Sequence, residues 1–164
     1  MEFNLKILKA LAYPIVGAIY AVHSELGPGL NEYVYQEALA LQLNEDGIEF
    51  EKEKEFTPIY HSQPLNAKYR LDFCCMNLAI VECKAVDSLT SDHRAQLFNY
   101  MRLTKKPIGV LVNFAQKSAV VERYFYNEKS NEICDVNGEV LLFYKQRRWK
   151  HYDNEEIMHG GIID

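Results

Sequence analysis

Apolar residues recur over residues 14–26 at Ile15, Val16, Ile19, Tyr20, Val22 and Leu26, a spacing that builds one face of an amphipathic helix. Pro14 is acceptable in the first turn of such a helix, and Gly27-Pro28-Gly29 ends it. A second helix is expected over Glu32–Glu45: Asn31 can cap it, Tyr35, Leu39 and Leu43 form an i, i+4 stripe, and Asp46-Gly47 stops it. From Ile48 the period changes to about two. Ile48, Phe50, Phe56, Pro58 and Tyr60 are interleaved with charge, as in a partly exposed strand. His61-Ser62-Gln63-Pro64 supplies a turn, residues 67–75 a second strand, Met76-Asn77 a tight connection and residues 78–86 a third strand. The three are predicted to be sheet neighbours in an antiparallel meander.

Helical spacing returns over residues 91–103 through Leu97, Tyr100, Met101 and Leu103, with Ser91 as the expected cap. Residues 108–114 form a continuous apolar run, the signature of a central strand covered on both faces, and residues 119–126 can add a strand beside it. Beyond Asn127 the pattern weakens, although Asn137-Gly138 marks a hairpin joining residues 133–136 to 140–144. The order α-α-β-β-β-α-β-β predicts an α/β architecture, a mixed central sheet flanked by helices. One domain is expected over residues 1–150, with its core at about 14–126, a hairpin at about 132–145 and a flexible tail over 151–164.

Composition narrows the class. The chain has 164 residues, 48% of them hydrophobic and 25% charged, which fits one soluble globular domain rather than a disordered chain. The longest apolar stretch, residues 11–22, is broken by Pro14 and Gly17 and is too short to span a bilayer, so no membrane association is expected. Nothing near Glu2 and Lys6 marks export, which makes the cytoplasm the default location. Cys74, Cys75, Cys83 and Cys134 lack C-x-x-C spacing and read as reduced core residues. A net charge of -5 argues against coating nucleic acid through the global field, but leaves room for a local basic groove.

The chemistry lies in the second and third strands. Glu82 and Lys84 interrupt an otherwise apolar strand, and Asp72 does the same in the strand before it; charges in such places need pairing or a metal. Alternation puts Glu82 and Lys84 on one face, and a hairpin would bring Asp72 to Glu82, giving a divalent cation two oxygen ligands. An exposed Glu/Lys pair on a half-buried strand is the plain alternative. On the third helix, Gln96 and Tyr100 stand four residues apart on one face, with His93 on the same side, which reads either as a positioning stripe or as an exposed face with a boundary tyrosine. Glu32 opens the second helix, where a glutamate serves as a dipole partner or as a third carboxylate. Arg70 shares the face of Asp72 and can meet a phosphate or that aspartate. His23, among Ile19, Tyr20 and Leu26, reads as a core-edge histidine. Residues 144–152 interleave cations and aromatics, which suits single-stranded nucleic acid or a solvated terminal segment.

The segments Gly27-Pro28-Gly29-Leu30-Asn31-Glu32-Tyr33-Val34-Tyr35, Arg70-Leu71-Asp72, Val81-Glu82-Cys83-Lys84-Ala85, Gln96 to Tyr100 and Gly109-Val110-Leu111-Val112-Asn113-Phe114 occur in that order. Together they resemble the GxxExxY proteins of the PD-(D/E)XK nuclease superfamily. The resemblance implies a restriction-endonuclease-like core and hydrolysis of phosphodiester bonds with Mg²⁺ or Mn²⁺. Asp72, Glu82 and Lys84 match the D…E-x-K signature, Glu32 matches the helical acidic residue, and Gln96 and Tyr100 match a Q-x-x-x-Y motif. Asp72, Glu82 and Glu32 are then the implied metal ligands, Lys84 joins them in catalysis, and Gln96, Tyr100, Arg70 and His93 position substrate. Nucleic acid is the implied partner, DNA ahead of RNA, and a homodimer or a protein partner is allowed for. The alternative is a non-catalytic nucleic-acid-binding or partner-interaction module on the same fold.

Overall fold

The computed structural model describes residues 2–144. Helix α1 spans Leu5–Leu26 and α2 spans Glu32–Glu45. They are followed by strands β1 (Phe50–Phe56), β2 (Ile59–Tyr60), β3 (Gln63–Pro64), β4 (Tyr69–Cys75) and β5 (Ala79–Lys84). Helix α3 (Ser91–Thr104) then leads to β6 (Ile108–Asn113), β7 (Val120–Asn127), β8 (Glu132–Cys134) and β9 (Val140–Phe143). Seven strands form one sheet in the order β1-β4-β5-β6-β7-β8-β9, and β2-β3 form a separate two-stranded arm. The pairing of β5 with β6 is parallel and the others are antiparallel, so the mixed sheet is mostly a meander with α3 as its crossover. Helices flank both faces. Leu8, Ala12, Ile15, Ile19, Tyr35 and Leu39 pack on Phe73, Val81, Val110 and Phe114, while Leu97, Phe98 and Met101 of α3 pack on Ile80, Leu111 and Tyr124.

Helix α1 begins nine residues before the predicted start. Asn4 caps it by accepting from the Ile7 N–H, and Pro14 sits inside it rather than in its first turn. Leu8 and Ala12 continue the stripe of Ile15, Ile19 and Val22, whereas Tyr20 and Leu26, expected on that face, are exposed. Ala10 and Pro14 both lie on the exposed side, where water can satisfy the Ala10 carbonyl that a proline cannot serve. At 22 residues α1 is long and apolar enough to cross a bilayer by length and composition, contrary to the expectation drawn from residues 11–22. Its buried face, from Leu8 to His23, is committed to the core.

Smaller departures have local causes. Thr90, not Ser91, caps α3, because the His93 ring accepts from the Thr90 N–H while Thr90 accepts from the His93 N–H, closing a capping box. The strand expected from Ile48 through Tyr60 ends at Phe56, and only His61 and Ser62, both with positive φ, turn the β2-β3 arm. Met76 and Asn77, with φ of 55° and 54°, make the tight β4-β5 turn as predicted. The β8-β9 hairpin exists, but its loop is longer than Asn137-Gly138. Asp135 Oδ1 accepts from the N–H groups of Asn137 and Glu139, which organises residues 135–139 as a unit. The tail over 151–164 and all of residues 144–152 except Tyr144 lie outside the described residues.

Candidate active site

Asp72 and Glu82 meet where β4 and β5 part. Phe73 faces Val81 as the last paired position. One step further, the Asp72 N–H donates to Glu82 Oε1 at 3.2 Å and the Cys83 N–H donates to Asp72 Oδ2 at 2.8 Å. The carboxylates thus cap the first two amide donors left by the parting strands.

A distortion of the neighbouring strand makes this possible. Lys52 faces Phe73 and Lys54 faces Leu71, but Glu53 and Asp72 between them do not pair, and Glu53 has a φ of 55°. A left-handed non-glycine residue inside a strand is costly and rare. Across this step the strands exchange faces: Phe50 and Phe73 pack on the α1/α2 side, Phe56 and Leu71 on the α3 side. Residues two apart on a regular strand share a face, so Leu71 and Phe73 record a local rotation centred on Asp72. Asp72 therefore reaches toward β5 rather than into either core.

Glu82 is 4% exposed, one of the few polar or charged residues buried among the described residues. Burial first, and Asp72 second, push its carboxyl well above the usual glutamate range. Magnitudes explain why these groups need more than their amide donors. A hydrogen bond to a charged group contributes about 1.5–3 kcal/mol, whereas burying an ion costs several kcal/mol. A proton or a cation must make up the difference. The donors are hard carboxylate oxygens, a set that fits Mg²⁺ or Mn²⁺ rather than a thiophilic metal. Asp72 and Glu82 are the two carboxylates that could hold such an ion. Among the described residues, no three His, Cys, Asp or Glu side chains already converge on one point, because both carboxylates are turned to backbone amides.

Glu32 stands at the first turn of α2, within electrostatic reach of Asp72 and Lys84, and accepts from Gln36 Nε2 at 3.1 Å. Burial first, then Asp72, raise its carboxyl. Lys84 shares the face of Glu82, and its Nζ donates to Gln96 Oε1 at 3.4 Å, so the α3 motif does meet the strand motif. Tyr100 is buried against Phe56 and Tyr69, with ring centroids 5.5 and 5.7 Å away. Its hydroxyl is raised by burial first and by Glu82 next.

Arg70 and His93 stand apart from this group. Arg70 is exposed and reaches Glu55 at 3.8 Å rather than Asp72, an exposed contact of little energetic weight. The His93 ring is engaged in the cap of α3 through Nδ1. His23 Nε2 donates to the Gln116 carbonyl at 2.8 Å and the ring stacks on Phe114, the core-edge role expected of it.

Three supporting features went unread in the sequence. Tyr35, counted in the apolar stripe of α2, donates its hydroxyl to the Gly27 carbonyl at 2.5 Å and accepts from the Leu30 N–H at 3.2 Å, with its ring stacked on Phe114 at 4.6 Å. It ties down the loop that delivers Glu32; the signal was a hydroxyl on a buried stripe beside a Gly-Pro-Gly turn. Asn113 ends the apolar run of β6, buried, and clasps both backbone groups of Val86 just beyond Lys84. Arg94 grips Glu122 bidentately at 2.7 and 2.8 Å, with the Tyr124 hydroxyl donating to the same carboxylate. That cluster anchors the start of α3, two residues before Gln96, and residues 28 apart in sequence carried no sign of it.

A family model described as the PD-(D/E)XK nuclease superfamily matches residues 9–124, a span from α1 into β7 that contains every group described above. Neither the curated proteins nor the solved structures contain a match.

Proposed function

Because this chain belongs to the PD-(D/E)XK nuclease superfamily, we propose that it is a metal-dependent nuclease hydrolysing phosphodiester bonds of nucleic acid, with DNA ahead of RNA, and that it falls in the GxxExxY branch. The observation that carries this reading is the buried Glu82 set against Asp72 at the end of β5, with Lys84 beside it and Gln96 behind that lysine. Asp72 and Glu82, joined by Glu32, would hold Mg²⁺ or Mn²⁺. Bound there, the ion supplies Lewis-acid stabilisation of phosphate charge and a more acidic water. Lys84 orients the attacking water or offsets charge on the phosphate, and the acceptor on Gln96 holds its ammonium in place. Gln96, and Tyr100 packed behind it on α3, position the substrate strand.

The test is incubation of the protein with labelled single- and double-stranded DNA and RNA, with and without chelator. Cleavage that requires the cation and is lost in Glu82→Ala supports the reading. Metal-independent cleavage, or cleavage unchanged in that variant, defeats it.

A second reading has its own support: both carboxylates already cap backbone amides, as they would in a binding module that keeps the fold without turnover. Calorimetry then shows nucleic-acid binding while no polymer is cut.

A further inference from the structure

The β2-β3 arm projects from the sheet between β1 and β4, at the end of β4 that leads into Asp72. It is a closed hairpin: Tyr60 pairs with Gln63, and the Leu65 N–H donates to the Pro58 carbonyl at 2.9 Å. Its surface has the wrong chemistry for a solvated turn. Tyr60 is 60% exposed and stacks on the exposed His61 ring at 4.0 Å. At the base, Tyr69 is 44% exposed on the α3 face of β4, and Lys68 and Arg70, with 74% and 59% of their side chains exposed, stand on the opposite face beside Glu55. These two cations share one carboxylate, Glu55, at 3.8 Å each, which leaves the patch cationic. The arm and the carboxylates are linked through packing: the Tyr69 ring packs on Tyr100, which lies within electrostatic reach of Glu82 and Asp72.

We propose that this arm and the start of β4 guide an unpaired nucleic-acid strand to the site, its bases stacking on Tyr60-His61 and Tyr69 and its phosphates meeting Lys68 and Arg70. The inference rests on the nuclease reading and adds the substrate class. Exposed rings offer a stacking platform to any unpaired base, whereas a duplex keeps its bases stacked inside and presents only backbone.

The experiment is fluorescence anisotropy of the full chain in chelator, with labelled single-stranded DNA, single-stranded RNA and duplex, so that binding is read without turnover. Single strands should bind at least about tenfold more tightly than duplex, and Tyr60→Ala and Tyr69→Ala should each weaken single-strand binding by about tenfold. The double variant Lys68→Ala with Arg70→Ala should flatten the salt dependence. Tyr60 and the cations are exposed, so those variants remain informative even if Tyr69→Ala disturbs packing. Equal affinity for duplex, or wild-type single-strand binding by Tyr60→Ala and the cation variant, overturns the proposal. So does a lowered oligomeric state with unchanged binding, which would make the arm a protein contact. If no polymer is cut but the arm variants lose single-strand binding, the nuclease reading fails and the guide stands. If cleavage is intact and the variants bind and cut like wild type, the guide alone fails.

Discussion

Glu82 is the buried carboxylate on which the proposed reading turns, and its burial makes a prediction independent of any substrate. In the metal-free protein its carboxyl is held up to about 9 by burial and by Asp72. The unfolded chain releases that proton near the ordinary glutamate value of 4.5, so between these values the folded state binds more protons than the unfolded one. Metal-free stability should therefore fall as pH rises through this window, by up to about 1.4 kcal/mol per pH unit from this group. Glu82→Gln cannot ionise, so it should flatten the slope and be the more stable protein at pH 8 while losing cleavage. Urea unfolding in chelator at several pH values checks this, and a variant with the wild-type slope would refute it. Tyr35 makes a contrasting case. Tyr35→Phe keeps the stack on Phe114 but leaves the Leu30 N–H and Gly27 carbonyl without their partner, costing about 1–2 kcal/mol. Cleavage should fall with it, since the same loop sets Glu32.

At the scale of elements, the rotation of β1 and β4 at Glu53 and Asp72 decides where the first carboxylate points. Glycine adopts a φ of 55° freely, and a β-branched residue does not. Glu53→Gly should retain stability and cleavage to within a small factor. Glu53→Val should cost about 1–2 kcal/mol more and reduce kcat, because relief of the strain restores regular alternation and swings Asp72 off β5. Denaturant midpoints and single-turnover rates for the two variants distinguish this from a loss of the Glu53 side chain, which both share. The docking of α3 is equally specific. A Cβ at Gly109 of β6 would fall 2.3 Å from Met101 Sδ, so the buried Met101 side chain of α3 would have to shift to admit it. Gly109→Ala should destabilise by about 1–3 kcal/mol, with partial recovery in the double variant with Met101→Ala.

For the whole molecule, the fold is a sheet with one parallel pair, β5 and β6, joined over one face by α3, while α1 and α2 cover the other. That arrangement brings Lys84 from the sheet, Gln96 and Tyr100 from α3 and Glu32 from α2 toward the end of β5. A ligand there touches several elements, so its binding should stabilise the fold globally. Mg²⁺ or Mn²⁺ should raise the melting temperature of the wild-type protein, by the equivalent of about 2.7 kcal/mol at a hundred times the dissociation constant. Glu82→Gln should show little of that rise, and chelator should reverse it. A melting temperature indifferent to the cation in the wild type would count against the metal assignment.

The sequence alone determined the elements whose cause is local. Period, caps and turn residues placed α2, the Met76-Asn77 turn and the β1, β4, β5 meander, and alternation along β5 put Glu82 with Lys84. It misplaced the start of α1, because a proline reads as a beginning when the stripe on either side of it is not followed far enough. It also treated the face of Asp72 as settled by alternation. Only the tertiary structure decided that Asp72 leaves that face, since the cause is a left-handed residue on a neighbouring strand. The same holds for Arg70, drawn to Glu55, and for His93, absorbed by its cap. Local pattern specifies what a residue prefers. Where a charged side chain finally points depends on which partner, distant in sequence, satisfies it most cheaply once water has been excluded.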